Sequence, residues 1–170
     1  RSDIFVTTKV PSRFYGLENS QKNVARYLKE LGLRYIDLVL IHFPKSPIPI
    51  LSRGECGEKD LSDAECRAET WKGLSKVRAN GMVRNIGVSN FDQGQMEEIM
   101  SLNLAPIANN QFQYNPWVPD WQEETFQYCQ ENNIAVTAYA SLGSFMQKAK
   151  AFSTIQSLND IATAHGRSVA

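Results

Sequence analysis

The sequence has 170 residues, 42% apolar and 21% charged, which suits one ordinary globular domain or part of a larger one. Eighteen basic residues balance eighteen acidic ones, so the net charge is zero. That argues against nucleic acid or an anionic membrane surface as the main partner, because both demand a basic excess. No apolar stretch approaches the roughly 20 residues that span a bilayer, and the opening "RSDIFVTTKV" reads as a strand rather than a leader.

Apolar runs then alternate with helical patterns. "IFVTTKV" (4–10) is short and β-branched, which predicts a strand. In the next segment Val24, Tyr27, Leu28 and Leu31 fall on one helical face, and Gly32 is a natural stop. "YIDLVLIHF" (35–43) is a second strand. Residues 44–60 are rich in Pro, Gly and charge and read as a long loop. A helix over 61–80 turns Trp71, Leu74 and Val77 inward. "VRNIGVSNF" (83–91) is a strand, and Asp92 is placed to cap a short helix carrying Met96, Ile99 and Met100. A strand over 106–115 precedes a helix over 120–133 whose acidic residues come early, as the helix dipole favours. "IAVTAYASLG" (134–143) is the fifth strand, and a helix over 153–165 carries Ile155, Leu158 and Ile161.

Strands joined through helices run parallel, with the helices covering the sheet. The strands are apolar rather than strictly alternating, as expected when both faces are covered. The fold class is therefore α/β, as an open doubly wound sheet or as most of a (β/α)8 barrel. A barrel takes typically about 250 residues, so five units make an incomplete one, and the chain is expected to be a single partial domain truncated at both ends. Cys56, Cys66 and Cys129 have no paired motif and no histidine company. They are expected to be ordinary reduced thiols in a cytoplasmic protein.

In parallel α/β folds ligands sit beyond the carboxyl ends of the strands. The residues expected there are Lys9, then His42, then Ser89 and Asn90, then Gln111, Gln113 and Tyr114, then Tyr139, Ser141 and Ser144. Each has a bland reading: a surface lysine, a core histidine, a turn bonding its own backbone. Their occurrence in order on consecutive strands is not required by stability. No phosphate-binding glycine signature and no nucleophile elbow appears. His42 and His165 lie in unlike contexts, which argues against a metal site.

The blocks "DIFVTTKV", "YIDLVLIHFP", "GMVRNIGVSNF", "ANNQFQYNP" and "AYASLGS" together resemble, in order and spacing, the third to seventh barrel strands of the aldo-keto reductases. The resemblance implies a (β/α)8 TIM barrel that binds NADPH, with NADH possible, and reduces a small-molecule carbonyl substrate, an aldehyde or ketone. It implies that Lys9 lowers the pKa of a tyrosine acid and that His42 orients and polarises the carbonyl. Ser89, Asn90 and Gln111 match residues that hold the nicotinamide carboxamide, and Tyr139 matches the aromatic that stacks on its ring. Leu142 and Ser144 match the loop over the pyrophosphate. Trp117, Phe145 and Met146 are candidates for the substrate pocket.

The departures are equally specific. The family's catalytic tyrosine and the aspartate paired with the lysine belong to a segment before these five blocks. Tyr15 does not match that tyrosine, and the eighth strand with its basic loop is also missing. Ala140 stands where serine is frequent. The fragment itself is thus expected to be inactive, and two other readings stay open: an NADPH-binding regulatory subunit on the same fold, or a class I aldolase using Lys9 as a Schiff base. Oligomeric state leaves no mark in the sequence.

Overall fold

The computed structural model describes residues 1, 3–46, 54–141 and 155–168. Five strands, β1 (Thr7–Val10), β2 (Ile36–Ile41), β3 (Val83–Ser89), β4 (Asn109–Gln113) and β5 (Ala135–Tyr139), form one sheet in the order β1-β2-β3-β4-β5. Every neighbouring pair is parallel. A doubly wound sheet reverses its order at a switch point, and this one does not. Consecutive order with a helix after each strand is the arc of a barrel, which decides between the two expected architectures.

The helices are α1 (Leu17–Leu31), α2 (Glu55–Glu58), α3 (Asp63–Ala79), α4 (Gln93–Met100), α5 (Asp120–Glu131) and α6 (Gln156–Ala164). α1 stops at Gly32, whose φ of 63° lies in the left-handed region. α3 and α4 both open with reciprocal caps. Ser62 accepts from the Glu65 N–H while Glu65 accepts from the Ser62 N–H. Asp92 and Gln95 repeat the arrangement.

Because side chains alternate along a strand, the sheet has two distinct faces. Val10, Val39, Ile41, Ile86, Val88 and Phe112 pack outward against Val24 and Leu28 of α1, Trp71, Leu74 and Val77 of α3, and Met96 and Ile99 of α4. The opposite parity, including Thr7, Lys9, Leu38, Asn85, Ser89, Gln111 and Thr137, lines the concave face. Gly87 is on that face because a Cβ there would lie 2.3 Å from the Asn109 carbonyl oxygen and press on Leu40.

Four expectations need correction. β1 starts at Thr7, not residue 4: Ile4 and Phe5 are 62% and 65% exposed, and the Val6 N–H donates to the Asp37 carboxylate instead of a ladder carbonyl. The segment 44–60 holds the short helix α2. α6 buries none of its residues, and Ile161 on its expected apolar face is exposed. Cys56 and Cys66 are not free thiols. They form a disulfide, since α2 folds back on the start of α3 and brings their Cα atoms to 5.4 Å. Cys129 is free and buried beside Met96 and Asn110.

Candidate active site

The parallel register sets the carboxyl ends of β1 to β5 side by side. Lys9 pairs with Leu40, Ile41 with Val88, Ser89 with Gln111, and Gln113 with Tyr139. One cavity of about 290 Å³ opens there, lined by Lys9, His42, Phe43, Ser89, Asn90, Gln111 and Tyr139. Six of these seven were singled out from sequence. They come from the ends of five strands spread along the chain from Lys9 to Tyr139.

Hydrogen bonds tie the rim together. Asn90 sits at φ 64°, a conformation that Asn tolerates better than most side chains. Its Nδ2 donates to the His42 carbonyl (3.0 Å) and to Ser89 Oγ (3.1 Å), and its Oδ1 accepts from the Tyr139 hydroxyl (2.6 Å). Ser89 Oγ and the Asn90 N–H both donate to the Gln111 carbonyl, at 2.7 and 2.9 Å. The Lys9 carbonyl accepts from the Tyr27 hydroxyl (3.0 Å), and the Lys9 ammonium makes no ion pair among the described residues.

Burial pushes the His42 pKa below its usual value, and the positive charge of Lys9 adds to the effect. Near neutral pH the imidazole is therefore uncharged, with one N–H to donate. Its ring stacks on Phe43 with centroids 4.4 Å apart. Burial raises the Tyr139 pKa, so this phenol holds its proton more tightly than a free tyrosine.

Other candidates fall elsewhere. Tyr114 stacks on Phe126 and donates to Glu123, and the Gln113 carbonyl accepts from Gln122. Tyr114 and Ser141 line a separate cleft. Trp117 is exposed on the loop after β4, its main-chain N–H donates to Asn115 Oδ1, and it does not line the cavity. Leu142, Ser144, Phe145 and Met146 lie outside the described residues. Phe43 escaped the reading of the sequence, although it follows His42 directly at the strand end. Tyr15 is buried, and its hydroxyl is bonded to the Phe43 main chain, so it does not face the cavity.

The model of the Aldo/keto reductase family matches residues 1–170. Estradiol 17 beta-dehydrogenase 5 of Mus musculus is 36% identical over 154 residues, covering 87% of this chain and 46% of its own length. Aldo-keto reductase AKR2E4 of Bombyx mori is 36% identical over 143 residues, covering 84% of this chain and 43% of its own length. The crystal structure of that Bombyx mori enzyme in complex with NADP superposes with a TM-score of 0.81 at 32% identity, covering 99% of this chain and 53% of the other. The chain thus spans about half the length of the relatives it matches.

Proposed function

Because the chain belongs to the aldo/keto reductase family, we propose that it carries the cofactor-holding and carbonyl-orienting part of an NAD(P)H-dependent reductase of aldehydes and ketones. The observation that supports this most is the convergence of Lys9, His42, Ser89, Asn90, Gln111 and Tyr139 on one cavity. Solved relatives bind NADP and NADPH, and the donor set here fits a nicotinamide head group. A carboxamide needs one donor and two or more acceptors nearby. The Gln111 amide supplies both kinds of group, and Ser89 and Asn90 flank it. Tyr139 offers a ring face for stacking. Leu142 and Ser144 would complete the phosphate side.

When bound, the nicotinamide supplies the hydride. The chain's own residues orient the acceptor. The neutral His42 imidazole donates a hydrogen bond to the carbonyl oxygen and stabilises the negative charge that develops there. Lys9 adds a positive charge at the same rim, and its cation favours the phenolate of a tyrosine acid placed beside it. Tyr139 does not suit that acid role, because its environment raises its pKa and its proton is engaged by Asn90. The proton donor thus belongs to another segment of the whole protein, and the 170-residue chain alone is proposed to bind cofactor without turnover. Trp117, Phe145 and Met146 are proposed to shape the substrate side.

Tryptophan-fluorescence titration with NADPH tests this reading. Saturable binding that Tyr139→Ala weakens is the expected result, and no binding by this chain or by a version extended to a whole barrel would overturn it. In the extended protein, His42→Ala should cut kcat/KM by about 100-fold or more with cofactor binding retained; unchanged turnover would remove His42 from the mechanism. No helix among the described residues is long and apolar enough to cross a membrane. The cytoplasmic setting rested on reduced cysteines, and the Cys56–Cys66 bridge removes that argument, since disulfides persist mainly in oxidising compartments. Fractionation with thiols blocked at lysis decides the location.

A further inference from the structure

The main chain just beyond His42 is held by side chains that no part of the mechanism above uses. The Tyr15 hydroxyl donates to the Phe43 carbonyl at 2.7 Å and accepts from the Phe43 N–H at 2.9 Å. One phenol thus satisfies both polar groups of one residue, from a site where only 2% of Tyr15 is exposed. One residue further, the Pro44 carbonyl accepts from Arg67 Nη1 at 3.0 Å, and Arg67 is itself buried and paired with Glu98. Both anchors trace back to α3. Arg67 follows the bridged Cys66, and Thr70 Oγ1 accepts from the Gly16 N–H (2.9 Å) while donating to the Cys66 carbonyl (2.7 Å).

We infer that Tyr15 and Arg67 are positioning residues that fix the His42 imidazole by clamping the Phe43–Pro44 main chain on its carboxyl side. The physical need is plain. β2 ends at Ile41, so beyond the His42 N–H, which donates to Val10, no ladder bond among the described residues fixes the chain. An imidazole at a strand end must hold its geometry to within a fraction of an ångström to be useful. Phe43 both stacks on His42 and carries the clamped peptide, so fixing one fixes the other. The charged and titratable groups that face the ring are Lys9, on the adjacent strand, and Tyr139, across the cavity. The functional meaning of the clamp rests on the role proposed above for His42.

The test reads the His42 ring rather than turnover, so the two ideas fail separately. The chain has only two histidines, His42 and His165, and exposed His165 serves as an internal reference in ring NMR titrations. Tyr15→Phe and Arg67→Met, each shown folded by circular dichroism, should raise the His42 midpoint measurably toward its ordinary value near 6.5, as the loosened ring becomes wetter and moves from Lys9. A role confined to stability would lower the melting temperature and leave that midpoint in place, and this outcome in both variants overturns the inference. Should either variant fail to fold, the other decides. A third reading needs no variant: the Phe43 amide should exchange slowly in the unaltered chain, and exchange at open-loop rates would sink the clamp. If instead the midpoint moves while His42→Ala leaves turnover unchanged, the clamp stands and the proposed role of His42 falls.

Discussion

Every residue of β2 except Asp37 is buried, whereas four of the five residues of β5 are exposed. The carboxyl ends of both strands line the same cavity. On the β2 side, His42 is held by the sheet, by Asn90 and by the Tyr15 contact to Phe43. On the β5 side, Tyr139 is 40% exposed and its side chain makes one hydrogen bond among the described residues, to Asn90. The residue after it, Ala140, has φ 50°, a conformation that costs an alanine roughly 1 kcal/mol. The contrast teaches that the cavity pairs a preorganised wall with an adjustable one. Rigid placement suits the carbonyl-orienting role proposed for His42, and adjustability suits the stacking role proposed for Tyr139.

The largest effect that bears on this contrast is expected at Trp71. It is fully buried behind the β2 side, and its indole N–H has no partner among the described residues, so packing dominates what it contributes there. Trp71→Ala should cost about 3–5 kcal/mol in urea unfolding, against within about 0.5 kcal/mol for Ile161→Ala on exposed α6. Equal losses at the two sites would erase the contrast.

Next comes the bridge, which closes a loop with a sequence separation of 10. Reducing it should lower stability by about 2–3 kcal/mol, seen as a lower urea midpoint with dithiothreitol. A Cys56→Ser, Cys66→Ser double variant should show no response to the reductant. On the adjustable wall, Tyr139→Ala should leave the urea midpoint nearly in place while weakening NADPH binding about fivefold, near 1 kcal/mol. A shifted midpoint would mean that Tyr139 belongs to the rigid part after all.

The smallest expected effect is on pH dependence. The folded His42 pKa lies below its unfolded value near 6.5. As pH falls below about 6.5 the unfolded chain takes up this proton first, so stability drops until the folded pKa is passed and is flat above the window. His42→Ala should remove that slope, and an unchanged slope below about pH 6.5 would show that other groups produce it.

Much of this was legible in the sequence because it depends on local chemistry. Gly32 ends α1, Asp92 caps α4, and β-branched runs mark β2 and β3. The ordered polar residues at strand ends came through as well, since parallel topology converts order along the chain into adjacency at the rim. What stayed hidden depends on distant packing. The bridge was invisible because only the return of α2 onto α3 brings Cys56 to Cys66. Tyr15 read as a loop tyrosine, since nothing within a few positions of it hints at Phe43, 28 residues away. Ile161 fits an amphipathic pattern, yet a pattern says nothing about whether a surface stands opposite to receive it.

The consecutive strand order bears on how the chain acquires its structure. Among the described residues, each strand pairs with its immediate neighbours in sequence and not across a longer span. A growing polypeptide can therefore lay down each ladder as soon as the next βα unit emerges, without waiting for a distant partner. Loop-closure entropy is met in several modest instalments rather than one large one. The expected signature during synthesis is stepwise protease resistance, with β1 to β3 protected before β5 has left the ribosome.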